Sequence, residues 1–257
     1  MDLPRTAAVA ARFEQLPSAG STNTELIARA TADPDGWPHA SVLLTDTQTA
    51  GRGRLGRVWS APPGTSIALS VLLRPRLPAD ALGWLPLLAG VAVADAVVAA
   101  GAPARLKWPN DVLIRDRKVC GVLSEVLPGS GPAVVIGAGL NHAIPADALP
   151  VPTATSLLAE GVDARLDDLL AAVLAGLLAS VAVLEASGGD AVAAGTAAAV
   201  AERCDTIGRA VRASLPDGTA LVGPATGLAG DGRLIVTRSD GRRVGVSAGD
   251  VEHLRYE

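Results

Sequence analysis

Two short segments concentrate the residue types that handle phosphate. In the first, Gly51-Arg52-Gly53-Arg54-Leu55-Gly56-Arg57, three guanidiniums alternate with three glycines, with Gln48 just before and Trp59 just after. Glycine lets the backbone approach a ligand closely, guanidinium pairs with phosphate oxygens through two hydrogen bonds, and an indole stacks on a purine. The segment also matches the glycine spacing of dinucleotide-binding turns. Such a turn must open a helix whose N-terminus faces the pyrophosphate, and Val58-Trp59-Ser60-Ala61-Pro62-Pro63-Gly64 cannot propagate one. It lacks the Gly-Lys-Ser/Thr ending of a P-loop. Taken alone, the segment also fits a solvated surface loop with scattered arginines.

The second segment is Lys107-Trp108-Pro109-Asn110-Asp111, followed by Lys118. Two tight turns, at 109–111 and 115–117, fold this stretch back on itself and bring Lys107, Asp111 and Lys118 together. Two amines beside a carboxylate suit a site that handles a carboxylate, a triphosphate and a metal ion. Each of the three taken singly reads as an ordinary charged turn residue.

The elements that must position these segments follow from pattern. Ser21-Thr22-Asn23 supplies N-caps for a helix through Glu25–Ala30. Ser41–Thr45 and Ser66–Leu73 read as strands on either side of the arginine loop. Residues 81–100 read as a helix with Pro86 in its first turns, stopped at Gly101-Ala102-Pro103. Residues 104–108, 112–114 and 119–126 read as hairpin-linked strands, and 133–140 as another strand carrying Gly137 and Gly139. Residues 167–186 carry Leu169, Leu170, Val173, Leu174, Leu177, Leu178, Val181 and Leu184 at helical spacing. After Ile207 the texture changes to short β-rich pieces (210–215, 220–228, 233–237, 242–246) punctuated by Pro-Asp-Gly, Gly-Asp-Gly and Asp-Gly turns. The expected organisation is an α/β (α+β) body over 1–206, a mixed central sheet with flanking helices, and a small C-terminal β-barrel over 207–257.

Bulk properties exclude other classes. The 257 residues are 49% hydrophobic and 19% charged, as in ordinary globular chains. A net charge of -4 argues against a nucleic-acid partner, which calls for a basic footprint. Cys120 and Cys204 lie far apart, read as small core residues, and fit a reducing compartment. The first residues show no secretion signal. The uncharged run Leu169–Leu184 is shorter than the roughly 20 residues a bilayer requires, so the expectation is a soluble cytoplasmic protein without a membrane partner, a monomer or weak homodimer.

Taken together, the segments resemble the biotin–protein ligase family over nearly the whole chain. The matching residues are Ser21-Thr22-Asn23, Gln48 with Gly51 to Arg57 and Trp59, Lys107 to Asp111, Lys118 with Gly121, and Gly137-Ala138-Gly139-Leu140-Asn141. The pairing of GRGRLGR with KWPND is highly specific; Ser-Thr-Asn alone is weak. The resemblance implies a synthetase-like fold with an SH3-like C-terminal barrel. It also implies a two-step reaction in which biotin and ATP give biotinyl-5'-AMP, which then acylates a lysine of a biotin carboxyl carrier domain. Carried over by position, Ser21, Thr22, Asn23 and Gln48 would hold the ureido bicycle. Arg52, Gly53 and Arg54 would close over biotin and the adenylate, with Arg57 near the phosphates. Trp59 and Asn141 would face adenine, and Lys118 would meet the biotin carboxylate. Lys107, Arg54 and Asp111 would complete the catalytic set, with Asp111 and Asn110 beside Mg²⁺ or phosphate. His142 reads as a strand-end residue, and Arg255 as an ATP or acceptor contact. The short stretch before Phe13 carries no helix-turn-helix, so DNA-binding repression is not expected. Lipoate or octanoate transfer on the same fold, and a non-catalytic biotin sensor, are the competing readings. Gln48 and the doubled Arg-Gly pattern favour biotin over the first. Phosphate-grade charge at Arg52, Arg54, Lys107 and Lys118 argues against the second.

Overall fold

The computed structural model describes residues 1–127, 129, 132–215, 218–246 and 250–253. In chain order the elements are α1 (Pro4–Val9), β1 (Arg12–Gln15), α2 (Thr22–Ala32), β2 (Ser41–Thr45), β3 (Gly51–Arg52), β4 (Val58–Trp59), β5 (Ser66–Leu73), α3 (Leu85–Ala99), β6 (Ala104–Lys107), β7 (Asp111–Ile114), β8 (Arg117–Val126) and β9 (Val134–Asn141). They continue with α4 (Leu166–Ala186), α5 (Thr196–Arg203), β10 (Ala210–Ser214), β11 (Ala220–Leu228), β12 (Leu234–Thr237), β13 (Arg243–Val246) and β14 (Asp250–His253).

A seven-stranded mixed sheet in the order β1-β2-β5-β9-β8-β7-β6 forms the body. Only the β1–β2 pair is parallel. β5 lies between β2 and β9 and is buried along its whole length. Its sequence, Ser-Ile-Ala-Leu-Ser-Val-Leu-Leu, accordingly lacks the apolar–polar alternation of a half-exposed strand. The turn joining β7 to β8 places Arg115 and Asp116 at φ 48° and 64°, the backbone of a two-residue hairpin connection.

Helices cover this sheet. α3 starts later than its composition suggests: residues 79–84 form a 3-10 turn, and the α-helix begins beside Pro86. Proline lacks an N–H and is tolerated only in a helix's first turn, so the boundary falls there. α4 packs on α3 and on α1. The Asp167 carboxylate accepts from the Thr6 amide (2.8 Å), the Thr6 hydroxyl (2.8 Å) and the Arg5 amide (3.0 Å). It thereby satisfies the free N–H groups at the start of α1. Segment 79–99 and α4 are both long and apolar enough to cross a bilayer, with mean hydropathies of 1.9 and 2.3. The α4 helix thus outruns the uncharged stretch read from sequence. In the protein, 72% and 39% of their most apolar windows are buried, and α4's buried positions are seven of the eight periodic ones together with Asp167; Leu178 is only half-buried, at the edge of that face.

The C-terminal strands form a five-stranded antiparallel sheet, β13-β12-β11-β10-β14. β12 and β13 each begin one residue later than their sequence pattern, and Arg255 lies outside the described residues. This sheet is not loosely appended. A single apolar cluster runs from Leu69, Ile136 and Leu106 through Trp108 and Cys204 to Val211, Leu234 and Val246. Cys120 and Cys204 are both buried and unpaired, as small core residues.

Candidate active site

The main cavity, about 330 Å³, opens on the face of the large sheet between the start of α2, the β3–β4 hairpin and the β6–β7 turn. Its floor is almost free of side chains. Gly121 on β8 pairs with Gly139 on β9, and Gly139 pairs on its other side with Ala68 of β5. Gly137, two residues along, points to the same face. Each glycine has a close neighbour, a short or rigid side chain at Gly137 and Gly139 and the flexible end of a lysine at Gly121. A Cβ at Gly137 would lie 2.3 Å from Asn23 Oδ1, one at Gly139 2.5 Å from Trp59 Cε2, and one at Gly121 2.9 Å from Lys118 Nζ.

One wall is polar and held by hydrogen bonds. Ser21 caps α2 by accepting from the Thr24 amide at 3.5 Å. The Gln48 side-chain oxygen accepts from the Thr22 amide at 2.9 Å and its hydroxyl at 3.3 Å. Ser70 donates to Asn23 Oδ1 at 2.6 Å and lies 2.8 Å from the Thr22 hydroxyl. Asn23 Nδ2 donates to Glu125 at 2.9 Å and to the Leu123 carbonyl at 3.3 Å. Ser21, Thr22, Asn23 and Ser70 are all buried, and buried polar groups are kept only where such partners exist. Donors and acceptors so fixed suit a polar, flat heterocycle.

The opposite side carries charge. Lys118 Nζ lies 2.7 Å from Asp111 Oδ1 and 5.5 Å from the centre of the Trp59 ring. Lys107 is the register partner of Asp111 across the β6–β7 turn. Asn110 donates to the Val122 carbonyl at 2.6 Å and accepts from Arg54 at 3.3 Å. Burial lowers the Arg54 pKa, with Asp111 opposing that effect and Arg57 adding to it, and a guanidinium remains charged at neutral pH regardless. Among the described residues lining the cavity, five are basic (Arg52, Arg54, Arg57, Lys107, Lys118) and one, Asp111, is acidic.

The segment with a loop's composition is in part a hairpin. β3 and β4 pair Gly51 with Trp59 and Arg52 with Val58. Arg52 reaches back to Glu125 and the Thr24 hydroxyl, both at 2.9 Å. The hairpin lays the Trp59 indole across Gly139 and Gly121.

Of the residues singled out from sequence, Ser21, Thr22, Asn23, Gln48, Arg52, Gly53, Arg54, Arg57, Trp59, Lys107, Asn110, Asp111 and Lys118 all line this cavity. Asn141 does not. It is buried at the end of β9, and its amide donates to the Thr155 carbonyl at 3.0 Å. His142, next to it, has a buried Nε2 without a hydrogen-bond partner, and burial lowers its pKa. Sequence reasoning passed over Ser70, Glu125, Ala68 and Val251. Of these, Ser70 alone carried a signal, a polar residue inside an apolar strand. The roles of Gly137 and Gly139 were readable in principle, because glycines two apart in a strand mark a close approach on one face. Cys120 lies behind Lys118 and Asp111, and burial pushes its thiol up to about 12, with Lys118 opposing. It is no nucleophile at neutral pH.

For a divalent cation, Asp111 is the lone carboxylate lining the cavity among the described residues. That fits Mg²⁺ held by one carboxylate plus substrate phosphates, not by a protein cage.

Residues 17–141 match the biotin/lipoate A/B protein ligase family, and residues 206–254 match the biotin protein ligase C-terminal domain. The chain is 43% identical over 251 residues to the biotin–[acetyl-CoA-carboxylase] ligase of Mycobacterium tuberculosis, covering 95% of this chain and 90% of that protein. Among solved structures it resembles the biotin protein ligase of Aquifex aeolicus in complex with biotin and ATP. There the TM-score is 0.78 at 25% identity, over 95% of this chain and 100% of that one. The Leishmania major biotin protein ligase in complex with biotinyl-5-AMP matches with a TM-score of 0.57 and 26% identity, over 93% and 99% of the two chains.

Proposed function

The chain belongs to the biotin/lipoate A/B protein ligase family, and on that premise we propose how its cavity carries out ATP-dependent biotin–protein ligation. In the first step the biotin carboxylate attacks the α-phosphorus of ATP, pyrophosphate leaves, and biotinyl-5'-AMP forms. In the second a lysine amine attacks the acyl carbon, AMP leaves, and the amine loses a proton. The acceptor is the carrier domain of a biotin-dependent carboxylase, and the setting is the cytoplasm.

Ser21, Thr22, Asn23 and Gln48 bind the ureido bicycle, whose N–H and C=O groups need the alternating acceptors and donors that this wall presents. The glycine floor lets Asn23, Trp59 and Lys118 settle against the sheet, which leaves the depth of the cavity above them to the ligand. Lys118 sits where the carboxylate end would lie and neutralises it as it nears phosphorus. Arg52, Arg54, Arg57 and Lys107 receive the phosphates, Trp59 offers an aromatic face to adenine, and Asn110 and Asp111 flank the phosphate end. Asn141 acts on adenine only indirectly, through the strand end it braces. A bound Mg²⁺ would supply charge neutralisation at the phosphates. The catalytic problem is to bring two anions together, because a carboxylate is already ionised at pH 7 and needs no base. The observation that carries this reading is the five-to-one excess of basic over acidic side chains facing a polar, hydrogen-bonded wall. A pocket for a lipoyl or octanoyl chain has no use for that wall.

Exchange of labelled pyrophosphate into ATP tests the reading, with Mg²⁺ and with biotin, lipoate or octanoate in parallel. Biotin alone should support exchange. Exchange with lipoate or octanoate instead would move the protein to the sister activity. Biotin binding without any exchange would leave a sensor.

A further inference from the structure

Three of the four tryptophans serve the site or the seam beside it. Trp59 and Trp108 both line the cavity, and Trp84 and Trp108 put their indole N–H groups on one turn of the C-terminal sheet, between β11 and β12. Trp84 Nε1 donates to the Gly230 carbonyl at 2.8 Å, and Trp108 Nε1 to the Gly232 carbonyl at 3.0 Å. The approach is too close for side chains: a Cβ at Gly83 would fall 2.4 Å from the Asp231 carbonyl oxygen, and one at Gly232 3.2 Å from that of Gly83.

Trp108 differs from Trp84 in what it carries. It sits in the three-residue connection between Lys107 and Asp111 and is itself buried. Its backbone amide donates to the Thr206 hydroxyl at 3.0 Å, and that oxygen lies 3.1 Å from His253 Nε2 on β14. Two residues earlier, the Leu106 carbonyl accepts from the Asp205 amide at 2.8 Å. The turn that presents Lys107, Asn110 and Asp111 is therefore held on its outer side by the segment entering the C-terminal sheet and by that sheet's own turn. A residue fixed both at its backbone amide and at its indole N–H leaves few alternatives for the backbone between the two charged residues.

Resting on the ligase reading above, we propose that Trp108 is a positioning residue through which the C-terminal sheet sets the Lys107–Asp111 turn for adenylate formation. Trp84 makes the same kind of bond to the same turn but only docks the two sheets. Removing the indole N–H at Trp108 loosens the charged turn; removing it at Trp84 does not.

The test compares Trp108→Phe with Trp84→Phe in the full chain, by biotin-dependent pyrophosphate exchange alongside melting temperature. Trp108→Phe should lower kcat about 10-fold, the scale of one misplaced hydrogen-bonded group. Its biotin KM should stay within about twofold, since the biotin wall lies on other elements. Trp84→Phe should lower the melting temperature by a comparable amount and leave kcat within about twofold. Thr206→Val removes the acceptor of the Trp108 amide from outside the cavity and should reproduce the kcat loss, with Thr206→Ser restoring it. Equal kcat losses in Trp108→Phe and Trp84→Phe, or unchanged kcat in both Trp108→Phe and Thr206→Val, overturn the proposal. Should Trp108→Phe fail to fold, the Thr206 pair decides alone. Wild-type exchange reports on the ligase reading itself, and only the variant-to-wild-type ratios report on Trp108.

Discussion

Substituting Gly139 by alanine should cripple the enzyme while leaving its fold intact. β9 lies in mid-sheet, paired at this point with Ala68 of β5 and Gly121 of β8, so its backbone has no freedom to retreat. The added Cβ would stand 2.5, 2.8 and 2.9 Å from three atoms of the Trp59 indole. An indole is rigid, so the whole ring must move by roughly 1 Å to reach ordinary contact, and a displacement of that size near reacting groups costs about 10²-fold in rate. That corresponds to about 2.7 kcal/mol of transition-state stabilisation. Among the described residues the β3–β4 hairpin forms a two-stranded sheet of its own, so the shift should pass into the hairpin and not into the core. Stability should change by about 0.5 kcal/mol or less, roughly 1–2 °C in melting temperature. The assay is kcat/KM for biotin-dependent pyrophosphate exchange, run as a cycle with Trp59→Ala. If the effect passes through the indole, Gly139→Ala should be nearly silent in the Trp59→Ala background. An equal loss in both backgrounds, or a single variant within about threefold of wild type, would refute the steric argument.

Lys118→Ala should reduce adenylate formation by at least about 10²-fold, because it removes the cation proposed to face the biotin carboxylate together with the 2.7 Å partner of Asp111; an unchanged exchange rate would take Lys118 out of the mechanism. Gln48→Ala should raise the biotin KM about 10-fold with little change in kcat, the worth of one good hydrogen bond in binding, and steady-state kinetics with saturating ATP would show it. Away from the site, burial pushes the Asp167 pKa up, and the Thr6 amide, Arg5 amide, Thr6 hydroxyl and Arg5 charge outweigh it and hold the carboxyl below its ordinary value. A depressed folded pKa stabilises the protein above the unfolded value, near 3.9, and that contribution is lost as pH falls through the folded one. Asp167→Asn should therefore melt lower than wild type at neutral pH and show a flatter decline below about pH 4, and parallel acid limbs in the two melting curves would contradict this.

Most of the central sheet was legible because its strands are bounded by strong punctuation. Ser41–Thr45 and Ser66–Leu73 have the limits their apolar runs suggest, and the turns read at 109–111 and 115–117 fall, within a residue, on the connections 108–110 and 115–116 of the two hairpins. What escaped was weakly patterned. β1, Arg-Phe-Glu-Gln, has one apolar residue and owes its strand state to parallel pairing with β2. α5, Thr-Ala-Ala-Ala-Val-Ala-Glu-Arg, is short and nearly featureless within an alanine-rich chain. α1 depends on Asp167, 161 residues away from Thr6 along the chain, a contact no local window contains.

For the site, residue types alone point to anion chemistry. Three guanidiniums set among glycines, and two lysines around an Asn-Asp turn, are an anion-handling kit wherever the chain places them, because charge and donor count are properties of the residues. Tertiary structure decided the geometry. It put Asn23 against Gly137 and Trp59 against Gly139, buried Asn141 in a bond to Thr155, and braced the Lys107–Asp111 turn from the C-terminal sheet. Those outcomes depend on which strands become neighbours and in what register. That choice is made by burying apolar surface over the whole chain, so no short segment can encode it.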